Sequence, residues 1–355
     1  MSLPDSDQPQ ARKIGALGRR AISTAAESMV KTGSLTPGQL LPLLIEPRIN
    51  GVDLVAWAGN NQQLIATLLQ QHGGILFRNF NLQAAETFDR LVAAAVGDAL
   101  PYQERSSPRS QVQKHIYTST EHPADQSIFL HNEQSYNLTF PQHIAFCCLT
   151  AARHGGETPI ADCRKVFESI DPQIRERFLR QNYMYVRNYG GGMGLSWQDA
   201  FQTDDRERVQ QYCQANQIAV EWLSADRLRT RQVRRVAAAH PQSGAMTWFN
   251  HLTFFHVSTL EPQARIAVQA EFSEADLPSN TYYGDGSPIE PEVLDHLRAA
   301  YHQATVTFPW QNGDVLLLDN MLVAHGRAPF GGPRSVVVAM AGPVSWTDLP
   351  PISPS

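Results

Sequence analysis

Three residues of this chain could hold a metal ion between them. His131 and Glu133 stand two apart in "FLHNEQSYN", and His325 follows an apolar run in "LLLDNMLVAHGRAPFGGPR". On an extended strand, residues two apart point to the same side, so the first pair can face one cavity. Two imidazoles and one carboxylate form the facial triad that holds non-haem Fe(II) and leaves positions open for a co-substrate and O2. With 12 histidines and 34 acidic residues, such spacings also arise by chance. The plainer alternative is a half-exposed strand meeting water, with His325 as a hydrogen-bonded turn histidine.

Two further residues give the triad a purpose. Arg334 lies nine positions after His325 and opens an apolar strand, "RSVVVAM". A fixed, bidentate guanidinium there suits the distal carboxylate of 2-oxoglutarate, whereas Arg334 by itself reads better as a surface ion pair. Thr158, in "GGETPIAD", offers that carboxylate a hydroxyl.

The elements that must position these residues are mainly strands. "ILFRNF", "SIFLHNE", "HIAFCCLTA", "NYMYVRNY", "ATVTFPW", "DVLLLD" and "RSVVVAM" read as strands, with an Asn312-Gly313 hairpin signal before "DVLLLD". Leu64, Ile65, Leu68 and Leu69 share one helical face that Gly73-Gly74 terminates, and a second amphipathic helix spans Ala85–Val96 with Phe88, Leu91, Val92 and Ala95 inward. A helix is expected over Val166–Leu179. Strands on both sides of helical pieces, without βαβ alternation, favour an antiparallel barrel or sandwich. The expected organisation is a polar arm over 1–35, one domain over 36–347 with a charged helical insertion at about 195–235, and a tail over 348–355.

Composition excludes several classes. The 29 basic and 34 acidic residues leave a formal charge of -5 and no long basic run, which argues against nucleic-acid or membrane-surface binding. No apolar run nears the ~18 residues of a membrane span, and "MSLPDSDQPQ" lacks a signal peptide's apolar region, so a cytoplasmic protein is expected. Cys147, Cys148, Cys163 and Cys213 contain no CxxC pair and read as reduced thiols.

Taken together, "LHNEQSY", "CLTAARHGGETPIAD", "WFNHLTFFH" and "LLLDNMLVAHGRAPFGGPR" resemble the taurine dioxygenase (TauD/TfdA) family of Fe(II)/2-oxoglutarate oxygenases, over roughly residues 35–345. Within it the chain looks most like SyrP-like amino-acid hydroxylases of nonribosomal-peptide pathways. The resemblance implies a double-stranded β-helix, or jelly roll, with flanking helices. It implies His131, Glu133 and His325 as iron ligands, Arg334 and Thr158 as 2-oxoglutarate contacts, and O2 as the oxidant. Related halogenases carry a small residue where Glu133 stands, which favours hydroxylation, with desaturation or cyclisation as alternatives. Taurine dioxygenase places its sulfonate-binding arginine four positions after the one matching Arg334; this chain has Val338 there, which argues against taurine.

The implied substrate is an amino acid or its derivative, free or tethered to a peptidyl carrier protein. Arg105, Ser107 and Arg109 in the long polar loop over 101–125, Asn132, Tyr136 and Asn137 beside the triad, and Arg327 are the candidates to read it. His251 and His256 read as supporting or core histidines, and Trp248, Phe249, Phe254 and Phe255 as barrel wall. A metal-free jelly-roll binding module, or a zinc hydrolase, would not need the pairing of Arg334 with Thr158.

Overall fold

The computed structural model describes residues 29–101, 104, 110–113, 115–119 and 122–352. The larger sheet has eight strands, in the order Val30–Ser34, Leu43–Pro47, Gly74–Phe77, Val315–Asp319, Thr139–Thr150, Ser335–Ser345, Ile116–Thr118 and Gln111–Gln113. Facing it is a four-stranded sheet ordered Thr305–Val306, Ile160–Asp162, Val323–Arg327 and Ile128–His131. Ile144, Phe146, Leu316, Leu318 and Val338 of the first sheet pack in one core with Ile160 and Val323 of the second. This is the expected jelly roll, mainly β with flanking helices.

The central strands carry apolar runs, 144–149, 315–318 and 336–341, because both of their faces are covered there. Ala145, Cys147, Val315, Leu317, Val337 and Ala339, which alternate with the residues just named, face Trp57, Ile65, Leu69, Phe88 and Leu91 of the helices Leu54–Asn60, Gln62–His72 and Ala85–Val96. Asp53 starts the first of these helices by accepting the backbone N–H groups of Val55 and Ala56. Gly73 ends the second in the left-handed region (φ 79°), and a Cβ there would meet Val323 Cγ2 at 2.6 Å, so glycine is required twice over.

Four expectations need correction. Val30–Ser34 is an edge strand paired to Leu43–Pro47, so ordered structure begins inside the supposed arm. Val166–Leu179 is not one helix: Cys163–Ser169 and Pro172–Gln181 are separate, because Pro172 must sit in a first turn and Asp171 caps Gln173 N–H at 2.8 Å. The region 195–235 carries helices Trp197–Phe201 and Arg206–Ala215, but also strands Ala219–Trp222 and Leu228–Arg234. Those strands complete a third sheet with Tyr183–Tyr189 and Ser279–Tyr283. At the other end, Leu349 of the supposed tail is buried with Phe140, Phe249 and Trp346. Among the described residues no helix is long and apolar enough to cross a membrane, and all four cysteines are free and buried.

Candidate active site

His131 ends the strand Ile128–His131, and His325 is its register partner on the antiparallel strand Val323–Arg327. Their rings lie 4.6 Å apart. The register shifts just beyond this pair, and a Cβ on Gly326 would meet Ile128 O at 2.5 Å. Glycine at 326 thus lets the two histidine-bearing strands approach.

Glu133 does not share a strand with His131, as the two-residue spacing suggested. The strand stops at His131, and Glu133 stands in a turn that continues through Gln134, whose φ is 53°. Asn320 sets that turn. Its Oδ1 accepts Glu133 N–H at 2.7 Å, and its Nδ2 donates to Glu133 O at 2.9 Å and Pro141 O at 2.8 Å. Asn132 Nδ2 returns a bond to Asn320 O at 2.8 Å. Glu133 is thus held by the loop between the strands Val315–Asp319 and Val323–Arg327, the latter of which carries His325.

This arrangement fits a divalent cation. Among the described residues, one ligand atom from each of His131, Glu133 and His325 lies within 4.8 Å of the others, and all three residues are buried. His131 Nδ1 is 2.9 Å from Phe129 O, which fixes the proton on Nδ1 and leaves Nε2 for a metal. His325 Nε2 is 3.7 Å from Glu133 Oε2. His131 is stacked on Phe254 at 4.5 Å, and Phe146 lies 5.0 Å from His325, so apolar rings hold both imidazoles in place.

A cavity of about 620 Å³ opens beside the two histidines, within the usual size of a small-molecule site. Arg334 and Thr158 line it. Trp310 Nε1 donates to Thr158 Oγ1 at 3.1 Å, and Arg334 spends Nε on Gly156 O and Nη1 on Ser119 Oγ, at 3.0 and 3.3 Å. Burial first, and the neighbouring Arg327 second, push the Arg334 guanidinium down to about 10, so it remains charged at neutral pH. Among the described residues no ion pair holds Arg334, and a half-buried guanidinium facing the cavity is what an incoming dicarboxylate needs.

The substrate candidates fared unevenly. Arg105, Ser107 and Arg109 lie outside the described residues. Asn132 is fully buried in its bonds to Asn320, so it positions Glu133 and does not face the cavity. Tyr136 is also fully buried, with its hydroxyl donating to Glu104 O at 3.0 Å, and Asn137 is buried away from the cavity lining. Arg327 does line it, but its Nη groups donate to the carbonyls of His122, Pro123 and Gln126 and tie that loop to the barrel.

His251 stands 5.0 Å from the His131 ring and shares a 2.7 Å hydrogen bond with Ser135 Oγ, a supporting position. His256 caps a short turn by accepting Ser258 N–H, and burial pushes it down to about 4. Phe254 and Phe255 wall the cavity, whereas Trp248 and Phe249 pack in core. Sequence reasoning missed Asn320, Arg187 and Tyr185. Asn320 could have been noticed in "LLLDN"; Arg187 and Tyr185 gave no signal beyond a strand pattern.

A jelly roll with His131, Glu133 and His325 placed so that they could hold a metal ion, and with Arg334 and Thr158 lining the cavity beside them, fits a 2-oxoglutarate-dependent iron oxygenase. The chain belongs to the TauD, TfdA family, whose model, described as taurine catabolism dioxygenase, matches residues 33–340, and it is a 2-oxoglutarate-dependent dioxygenase. Over 280 residues it is 44% identical to the dapdiamide synthesis protein DdaC of Enterobacter agglomerans, covering 79% of this chain and 85% of that one. A clavaminate synthase-like protein of Arabidopsis thaliana is 29% identical over 77% of this chain and 83% of its own. Among solved structures, PvcB of Pseudomonas aeruginosa shares the fold at a TM-score of 0.52 and 18% identity, over 88% of this chain and 91% of that one. Val338, where a taurine enzyme would place its second arginine, is fully buried in the sandwich core.

Proposed function

We propose that this enzyme hydroxylates an unactivated carbon of an amino acid, or of an amino-acid-derived substrate, in a secondary-metabolite pathway. The observation that carries the reading is the intact Glu133 carboxylate, buried and clamped by Asn320 beside two histidines. The similarity to a dapdiamide synthesis protein supports the pathway class.

Bound Fe(II) and 2-oxoglutarate would supply the oxidising chemistry, with decarboxylation to succinate. The chain's own residues do the positioning. His131, Glu133 and His325 would hold the metal on one side, and Arg334 and Thr158 would fix the co-substrate's distal carboxylate. Phe254, Phe255 and Phe146 exclude water and present the substrate to the remaining face.

The test is product analysis under labelled O2, with free amino acids and aminoacyl carrier proteins offered in parallel. Hydroxylation predicts a product heavier by one oxygen atom taken from O2, formed together with succinate. A product lighter by two hydrogens, with no oxygen gained, would instead establish desaturation or cyclisation.

A further inference from the structure

Two guanidinium groups of the cavity wall share one aromatic ring. Arg327 and Arg334 both line the cavity, and their Cζ atoms lie 5.2 and 5.3 Å from the ring centroid of Phe330. Phe330 itself is half-buried and stands outside the lining. Its ring therefore bears on the cavity through the arginines, not by direct contact.

The backbone fixes where that ring sits. The strand Phe330–Gly331 pairs with His154–Gly155, Gly156 N–H donates to Pro329 O at 2.9 Å, and Phe330 N–H donates to Ala124 O at 2.8 Å. A Cβ on Gly156 would meet Arg334 Cδ, Arg334 Nε and Phe330 Cβ, each at 3.0 Å. The arginine stem and the phenylalanine thus close over residue 156, leaving little room for a side chain there.

The two cations oppose each other, since Arg327 acts against the charge of Arg334. Arg327 is held where it is by the carbonyls of His122, Pro123 and Gln126, and its Nε is buried without a hydrogen-bond partner. Asp125 acts on Arg327 and Glu157 on Arg334 in the opposite sense, but among the described residues neither carboxylate forms an ion pair. Arg334 keeps only its bonds to Gly156 O and Ser119 Oγ, the second at 3.3 Å. An aromatic face attracts a guanidinium through its quadrupole. Unlike a carboxylate, it does so without neutralising the charge, which stays available to an incoming anion.

We propose that Phe330 is a positioning residue for the co-substrate, its ring holding the Arg334 guanidinium in the orientation that receives the distal carboxylate of 2-oxoglutarate. This deepens the function proposed above and rests on its placing of Arg334.

The experiment is an anaerobic titration of the Fe(II)-loaded enzyme with 2-oxoglutarate, followed by its visible absorption band, beside an iron titration of each variant. Phe330→Leu removes the ring and keeps an apolar side chain; Phe330→Tyr keeps the ring. The proposal expects Phe330→Leu to weaken 2-oxoglutarate about 5- to 20-fold with iron affinity unchanged, and Phe330→Tyr to bind it nearly as the unaltered enzyme does.

A loss smaller than about fivefold in Phe330→Leu would overturn the proposal. So would Phe330→Tyr as weak as Phe330→Leu, or iron affinity falling in step with the co-substrate, because loosened packing would then account for the effect. Should Phe330→Leu fail to fold, pentafluorophenylalanine at position 330, which keeps the ring's shape but reverses its quadrupole, decides: weaker 2-oxoglutarate binding supports the proposal and unchanged binding overturns it. No band in the unaltered enzyme, or Arg334→Gln with unchanged 2-oxoglutarate affinity, would instead sink the placing of Arg334 itself, and the two failures are thereby distinguished.

Discussion

His131 and His325, 194 positions apart in sequence, are register partners across two antiparallel strands, with their rings 4.6 Å apart. A metal centre built on these two histidines would therefore be a property of one strand pairing, its geometry depending on how closely those strands approach. Gly326 sits at that approach, 2.5 Å of clearance from Ile128 O being too little for a Cβ. Gly326→Ala should push the strands apart, lowering stability by about 1–3 kcal/mol and weakening iron binding. Chemical denaturation and iron titration of the variant check both effects.

The Asn320 side chain makes three hydrogen bonds, two to the backbone of Glu133 and one to Pro141 O on the strand Thr139–Thr150, that tie the Glu133 turn to the sheet. Asn320→Ala leaves a buried N–H and two carbonyls without their partner, at about 1–3 kcal/mol for each group left unsatisfied. Iron affinity should fall roughly 10- to 100-fold, because the ligand's backbone is no longer held. Metal titration by fluorescence quenching would show it, and an affinity equal to wild type would remove Asn320 from the site's support.

Under the proposed function, Arg334 and Thr158 would hold the co-substrate. Arg334→Gln should raise the KM for 2-oxoglutarate about 100-fold, since the cation that would pair with the distal carboxylate is lost. Thr158→Val, which removes a single hydroxyl, should cost about tenfold or less. Succinate release as a function of 2-oxoglutarate concentration separates the two.

Glu104 gives a pH signature. Burial raises its carboxyl to about 7, against the lowering effects of the Tyr212 hydrogen bond, Arg187 and Arg234. A carboxyl raised on folding binds its proton more tightly in the folded state, so its contribution to stability is lost as pH rises from the ordinary carboxylate range through about 7. Tyr212 can still donate to an amide oxygen. Glu104→Gln should therefore be more stable than the unaltered protein at pH 8 by about 1–3 kcal/mol, with the gap closing toward pH 5. Urea midpoints at the two pH values measure it.

How much of this could be read in the chain depended on whether a residue's role was local. The helix Ala85–Val96 and the cap at Gly73 were legible because spacing and glycine conformation are properties of a short stretch. The strand Leu228–Arg234 was not, since its inward set includes Thr230, Gln232 and Arg234 while Val233 is 43% exposed, inverting the apolar alternation that marks a strand. Asn132 was misassigned for a related reason. A polar residue beside a metal ligand can read a substrate or brace the ligand, and its partner Asn320 lies 188 positions away. Arg187 belongs to the same class, because only the fold brings its strand to the cavity.

The central claim is that His131, Glu133 and His325 form one iron site that accepts 2-oxoglutarate. The most direct measurement is the visible absorption of the anaerobic protein with Fe(II) and 2-oxoglutarate. The account predicts a weak metal-to-ligand band in the unaltered protein and its loss in His131→Ala, together with loss of bound iron. No band in the unaltered protein, or iron binding unchanged by His131→Ala, would contradict it.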